Sequence, residues 1–396
     1  MAPTANDVLD SVREMASLVQ ERAGEVEAAR RLPADLVQDL RDAGVFGLWI
    51  PTELGGPEVD PITATRVIEE LSCADGSVGW CSMLALCTSA FSAYVEREAA
   101  AEIFRPGDPA ITGGVFATRG TAIAERDGYR VSGRWPFASG CDHCDWLCVG
   151  CAIDRESARD PGDDAAARLA FLPASEIEII DTWHALGLRG TGSSDVMVEG
   201  AFVPSARTIR FDQRSWASGP LWRIPFPCLV AGPVAAVSLG IGRDALDAVA
   251  RFVEADTREY ALGGWQWWVL ERTRRVLSDR DVVQSQMAQR EAALRSARAL
   301  VFETLGHVWS DVNAGLEVTP KRQLLLRLAA LQASRCAIEA VDTAFSIGGA
   351  SAIYDNSTLQ RAFRDAHTVG QHILVASSGF EVVGRELFHG AQIAPA

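Results

Sequence analysis

Apolar positions recur with helical spacing from residue 5 to about residue 105. Val8, Val12, Met15 and Val19 fall on one face of a first helix, and Pro33 opens a second at a position that tolerates a missing N–H. Pro61 opens a third helix, which carries Ile62, Val67, Ile68 and Leu71. Residues 76–94 are apolar almost throughout, which predicts a long buried helix. From Ala110 the period falls to two. The runs 121–126 and 129–132 flank Asp127-Gly128, a dipeptide favoured in a tight hairpin whose two central residues take positive φ. Further strands are expected at 145–153, 168–172, 177–180 and 196–203, a spacing that suggests a small barrel or sandwich. The Asp- and Arg-rich insert 154–166 between them reads as a solvated loop. Helical spacing returns at Leu229 in long segments at 231–257, 281–313 and 320–347, and a fourth runs from 357 to about 378, which together describe a four-helix bundle. The predicted class is α+β: a helical domain over 1–109, a β domain over 110–212 and the bundle over 213–396.

Charge narrows the partners. The 396-residue chain is 48% hydrophobic and 22% charged, as an ordinary globular protein is, and its formal net charge is −15. Nucleic acid and anionic membrane both require a basic face, so neither is expected as a partner. Residues 1–10 show no basic stretch leading into an apolar run, and no segment holds about 18 consecutive apolar residues. The expected location is the cytoplasm.

Nine cysteines are present, and four of them, Cys141, Cys144, Cys148 and Cys151, lie close together. Only three residues separate Cys144 from Cys148, whereas zinc knuckles stand a dozen or more apart, and the ferredoxin spacing does not match either. On a strand Cys148 and Cys151 point to opposite faces and act as small hydrophobes, so no metal is expected. Neither a Gly-x-Gly-x-x-Gly turn opening a βαβ unit nor a Gly-Lys-Ser phosphate loop occurs, which argues against a nicotinamide or nucleoside-triphosphate domain. Trp265, Trp267 and Trp268, beside Gly263-Gly264, read as core or interface packing or as a substrate wall.

The stretch from Gly133 to Trp146 concentrates candidate chemistry. It holds the rings of Trp135, Phe137 and Trp146, a Ser139-Gly140 step and His143 between two expected strands, and so offers a flat ligand aromatic faces and a hydroxyl. This stretch resembles the middle domain of acyl-CoA-dehydrogenase-fold proteins, and within that superfamily it is most similar to the oxygenase components of two-component flavin-dependent monooxygenases. Other motifs agree in order along nearly the whole chain: the glycine- and aromatic-rich turn 44–56; Gly187-Leu188-Arg189-Gly190-Thr191-Gly192-Ser193, similar to a "G-x-R-G-T-x-S" turn; and Gly348-Gly349-Ala350-Ser351 followed by Leu359-Gln360-Arg361-Ala362-Phe363-Arg364-Asp365.

The resemblance implies a homotetramer in which Gly348, Gly349 and Ser351 reach a neighbouring subunit's flavin, while Phe137, Ala138 and Ser139 bind the flavin of their own. It implies reduced FMN or FAD, with a slight preference for FMN, delivered by a separate NAD(P)H-dependent reductase. Oxygen is the co-substrate, and a flavin C4a-hydroperoxide transfers one oxygen atom to an aromatic or polycyclic small molecule. Ser139, reaching flavin N5, and His367, two residues after Asp365, are the implied catalytic residues; Trp80, Thr88 and His143 are candidate substrate contacts. His372 lies five residues beyond His367 and off its helical face, which makes it the lesser candidate.

A dehydrogenase of the same fold needs a carboxylate as base. The corresponding position here is Ile373, and the alternative placement at 225–228 holds no carboxylate either. A non-catalytic protein of this fold is the third reading. Phenol-hydroxylating members carry a histidine where this chain has Leu86-Cys87-Thr88 and a small polar residue near Gly113-Gly114, a departure that favours a larger substrate, a heteroatom or an amine over a simple phenol.

Overall fold

The computed structural model describes residues 5–105, 110–154, 156–157, 167–210, 213–255 and 277–389. Trp265, Trp267 and Trp268 and most of the 154–166 insert lie outside the described residues. Five helices come first: α1 (Ala5–Ala29), α2 (Ala34–Asp42), α3 (Pro61–Ala74), α4 (Gly76–Ser89) and α5 (Arg97–Ile103). Asp60 caps α3 by accepting from the amides of Ile62 and Thr63, and Pro61 fills the first helical position, whose N–H has no partner within the helix. Asp75 ends α3 and caps α4 through the Val78 amide, so one extended residue turns the chain between two buried helices.

Seven strands follow: β1 (Thr112–Glu125), β2 (Gly128–Trp135), β3 (Trp146–Ile153), β4 (Ala167–Pro173), β5 (Glu178–Ile180), β6 (Asp195–Pro204) and β7 (Thr208–Arg210). They form one sheet in the order β5-β6-β2-β1-β3-β4-β7, in which only the β1–β3 pair is parallel. That single parallel pair fixes the path of the chain. After β2 runs back along β1, residues 136–145 must cross the end of β1 so that Trp146 can pair beside Thr112.

The β1–β2 hairpin forms at the expected place with different turn chemistry. Glu125 already pairs with Gly128, so the central residues are Arg126 and Asp127, and only Asp127 takes a positive φ, of 66°. Gly128 is needed for close approach instead, because a Cβ there would stand 2.4 Å from the Val203 carbonyl oxygen on β6. Cys148 and Cys151 point into separate apolar clusters, as opposite faces of β3 require. All nine cysteines are unpaired, and burial pushes each thiol up from its ordinary value. Among the described residues no group of three or more His, Cys, Asp or Glu side chains is arranged to hold a metal ion.

The C-terminal part consists of α6 (Phe226–Ala255), α7 (Asp281–Asn313), α8 (Pro320–Gly348), α9 (Thr358–Val369) and α10 (Gly379–His389). Among the described residues α6 is the one helix long and apolar enough to cross a membrane, and 83% of its most apolar window is buried, because it packs against α3, α7, α8 and α9. The fourth bundle segment is shorter than its apolar pattern predicts. It stops at Val369, and residues 370–378 turn through bonds from Gln371 N–H to the Thr368 carbonyl, from His372 N–H to Val369 and from Ala376 N–H to His372.

One carboxyl joins the bundle to the β region. Asp365 on α9 accepts a 2.6 Å bond from the Leu188 amide, and Gly187 beside it packs so closely on α9 that a Cβ would lie 2.2 Å from the Arg364 carbonyl oxygen. Burial first, and then the neighbouring Asp75 carboxyl, push Asp365 up to about 7, against the lowering pull of the Leu188 N–H, Arg364 and Arg361. Burial likewise raises Asp75 to about 6.

A carboxyl raised on folding holds its proton in the native chain while the unfolded chain, with a pKa of about 4, has lost it. Its contribution to stability is therefore complete below about pH 4 and is lost as pH rises through 7. Asp365→Asn keeps an oxygen for the Leu188 amide and cannot ionise. Urea unfolding between pH 5 and 8 should give a flatter pH dependence for this variant than for the parent, with its advantage growing toward pH 8; parallel curves would remove Asp365 as the source.

Candidate active site

Two turns meet where the 136–145 connection crosses the sheet. Ala138 N–H donates to the Ser194 carbonyl at 3.0 Å and Gly140 N–H to the Thr191 carbonyl at 2.8 Å, so the stretch around Ser139 and the Gly187–Ser193 turn form one body. Their side chains continue the stitching. Trp80 Nε1 donates to Ser139 Oγ at 3.0 Å, Ser139 Oγ lies 2.6 Å from Ser193 Oγ, and Ser193 Oγ lies 2.6 Å from Thr191 Oγ1. Thr191 in turn donates to the Leu188 carbonyl at 2.7 Å. The second turn is held from outside as well: Arg30, just past the end of α1, forms a bidentate pair with Asp181 at 2.6 and 2.8 Å, and Arg364 donates to the Leu186 carbonyl at 2.9 Å.

Phe137 sits on this body with its ring uncovered. It is 66% exposed, its φ is 65°, and its only ring contact among the described residues is edge-on to Trp183 at 6.2 Å. A left-handed aromatic residue costs about 1–3 kcal/mol, and such strain persists where the surroundings over-determine it. Here the anchored amides of Ala138 and Gly140 impose it. The result is an apolar face presented to solvent beside a buried hydroxyl.

The imidazole that joins Ser139 is His372. Its ring stands edge-on to Trp80 at 5.2 Å, and Trp80 is the donor to Ser139. Burial lowers His372 to about 4, so the ring is neutral at physiological pH, and its buried Nδ1 has no hydrogen-bond partner. His367 is committed elsewhere. Its Nε2 lies 2.8 Å from Asp342 Oδ1 on α8 and its ring packs on Phe363 at 4.5 Å, contacts that it does not share with Ser139. The expectation for His367 rested on the resemblance, and the lower rank of His372 on helical spacing; the break after Val369 takes His372 out of helical register and puts it against Trp80.

These residues fit a flavin: an exposed aromatic face, a hydroxyl at its edge and an unpartnered ring nitrogen beside them. Residues 3–103 match the family described as "Acyl-CoA dehydrogenase, N-terminal domain" and residues 233–377 match "Acyl-CoA dehydrogenase, C-terminal domain". The chain is 32% identical over 394 residues to an indole-3-acetate monooxygenase of Pseudomonas putida, covering 99% of this chain and 95% of that protein. The chain belongs to the flavin-dependent monooxygenases of the acyl-CoA dehydrogenase superfamily. It is also 27% identical over 391 residues to the oxygenase component of an FADH2-dependent resorcinol hydroxylase of a Rhizobium species, covering 94% of this chain and 91% of that one. The crystal structure of XiaF from a Streptomyces species in complex with FADH2 and glycerol superposes with a TM-score of 0.86 at 26% identity, covering 99% of this chain and 97% of that one.

The remaining candidate residues of the monooxygenase divide by surroundings. Thr88 is buried and its hydroxyl is taken: Oγ1 lies 2.8 Å from the Thr112 carbonyl and 2.7 Å from Thr112 Oγ1, so it pins α4 to β1 instead of facing a substrate. Burial lowers His143 to about 4; its Nδ1 is buried without a partner, and its ring lies 6.3 Å from Phe46. Gly348 ends α8 and Gly349 follows at φ 53°, while Ser351 lines a cavity of about 230 Å³ with Phe252, Asn356, Ser357 and Thr358. None of these cavity residues touches the group around Ser139. Ile373, where a dehydrogenase keeps its base, is an apolar side chain 77% exposed. Ser193 and Thr191 went unnoticed as polar contributors, although they stand in the Gly187–Ser193 motif itself.

Phe137→Gly accepts the left-handed backbone freely and gives up little buried surface. We expect stability in urea to rise by about 1 kcal/mol and reduced-flavin affinity to fall roughly tenfold. Lower stability with unchanged flavin binding would make Phe137 a packing residue.

Proposed function

We infer that this chain, as the oxygenase component of a flavin-dependent monooxygenase, acts on a small molecule and draws reduced flavin from a separate reductase. We propose that the reaction takes place over Phe137, between Ser139 and His372, and that the substrate is an electron-rich aromatic or polycyclic molecule of the indole type. The name of the Pseudomonas putida relative supports the indole class. So does the commitment of Thr88, which leaves that stretch of α4 without a polar group for a simple phenol.

Reduced FMN or FAD, when bound, would supply the two electrons that activate O2, one atom of which goes to the substrate and the other to water. The chain supplies the setting. Phe137 stacks on the ring system, and Ser139 meets its N5 edge. His372, neutral through burial, donates one hydrogen bond to the oxygen to be transferred without surrendering a proton, as an imidazolium would. Trp80 spaces His372 from Ser139.

The exposed Ile353 and Tyr354, in the turn that carries Ser351, suit a face covered by another copy of the chain. We propose a cytoplasmic homotetramer built from units 1–109, 110–212 and 213–396, in which Gly348, Gly349 and Ser351 complete a neighbour's flavin site. It should sediment at four subunit masses at micromolar concentration, and a monomer would refute the shared site.

The observation that carries the assignment of His372 is its contact with Trp80, the donor to Ser139. His372→Ala should bind reduced flavin, consume oxygen and release mainly hydrogen peroxide, with product per reduced flavin down more than about tenfold. His367→Ala should keep the parental yield. Because His372 titrates near 4, the parental yield should show no step from this group between pH 6 and 9. A wild-type yield from His372→Ala together with a failing His367→Ala would reverse the assignment.

A further inference from the structure

The hydroxyl chain behind Ser139 has a direction, and its far end fixes that direction. The Leu188 carbonyl can only accept, so Thr191 Oγ1–H, 2.7 Å away, must point to it. With its one hydrogen committed, Thr191 Oγ1 can only accept from Ser193, 2.6 Å away. Ser193 has then given its hydrogen to Thr191 and can only accept from Ser139, again at 2.6 Å. At the near end Trp80 Nε1, which can only donate, supplies a hydrogen to Ser139 Oγ at 3.0 Å. Ser139 therefore has its hydrogen turned inward and one lone pair taken. What it retains is a single acceptor position. All three hydroxyls are buried, with Thr191 1%, Ser193 4% and Ser139 6% exposed, so water does not readily scramble the order.

We propose that Thr191 and Ser193 are positioning residues that hold Ser139 as an obligate hydrogen-bond acceptor, and that this polarity makes the site discriminate between the two redox forms of flavin. The inference rests on the reading above that Ser139 faces N5. Reduced flavin carries a hydrogen on N5 and matches an acceptor. Oxidised flavin presents a bare N5 lone pair and meets the Ser139 lone pair, a contact between two acceptors with no hydrogen between them. A lone serine would not discriminate, because its hydroxyl turns to donate to one form and to accept from the other. The direction is imposed by the Leu188 carbonyl, three residues before Thr191 along the turn, and Leu188 is itself fixed by Asp365.

The test measures equilibrium binding by the full-length protein, with FMN and with FAD, each oxidised in air and photoreduced under anaerobic conditions. Thr191→Val keeps the side-chain shape and removes the hydroxyl, which frees Ser193 to donate toward Ser139 and lets the Ser139 hydrogen swing out. Ser193→Ala frees it directly. In both variants oxidised flavin should bind about five- to tenfold tighter, with reduced flavin nearly unchanged, so the preference for the reduced form shrinks. Thr191→Ser restores the donor and should restore the parental preference, a rescue that a purely structural role would not give. Ser139→Ala should instead weaken the reduced form. If Ser139→Ala loses the preference while Thr191→Val and Ser193→Ala both keep it, the relay is overturned and the Ser139 reading stands. If Ser139→Ala leaves both affinities at their parental values, Ser139 does not face N5 and the inference falls with that reading.

Discussion

A single buried carboxyl ties the helical bundle to the turn that carries the candidate site. Asp365 lies on a bundle helix, yet its hydrogen bond goes to the Leu188 amide in a turn that leads into the sheet. Leu188 takes a left-handed backbone, with φ 50°, and Gly187 closes on the Arg364 carbonyl with no room for a side chain. From this contact the order of dependence runs outward. Leu188 orients Thr191, the turn carries Ser193 and Ser194, and their bonds fix Ala138, Ser139 and Gly140. The strained backbone of Phe137 is the last member. Helical and sheet regions that share only apolar contact could slide by a fraction of an ångström, and a hydrogen bond between fixed backbones does not allow that freedom.

The imidazole reaches the same place by a separate route. His372 is not on a helix, since α9 has ended three residues earlier, and its position comes from the bonds of the 370–378 turn. Trp80 then joins the two sets of constraints, giving a hydrogen bond to Ser139 and an edge contact to His372 from the first half of the buried α4. Three parts of the chain far apart in sequence thus converge on one hydroxyl and one ring. Each part is rigid for its own reason: a capped helix, a stitched turn and a hydrogen-bonded reversal.

The order of elements was legible because periodicity changes sharply at Ala110 and again near Leu229. Ser139, Phe137 and Trp80 were legible as candidates because a motif of known type surrounds them or because their chemistry stood out. Spacing set His372 off the helical face of His367 and gave no sign of its contact with Trp80. The apolar pattern through Leu374 and Val375 reads as a continuing helix, and the break at Val369 is set by tertiary packing, with Gly370 lying against Ile338. Thr88 looked available because its pairing with Thr112 crosses from α4 to β1, and no local pattern announces such a contact. Ser193 and Thr191 carried a weak signal, two hydroxyl residues in a glycine turn, whose meaning depends on which carbonyl ends the chain of bonds. The hairpin dipeptide was in the right place for a different cause, since Gly128 answers to β6 packing and not to turn geometry.

The nine free thiols, eight of them buried, have a bearing on durability. An enzyme of this class works next to activated oxygen, and every imperfect turnover leaks hydrogen peroxide into its own interior. Peroxide attacks thiolate, scarcely thiol, and the first product leads on toward irreversible acids. Cys81 and Cys141 pack on the turn that holds Ser139, with their sulfurs directed at the Thr191 and Gly192 carbonyls, and both are held protonated by burial. These two cysteines are thus kept in their least oxidisable form by the same dry packing that positions the hydroxyls.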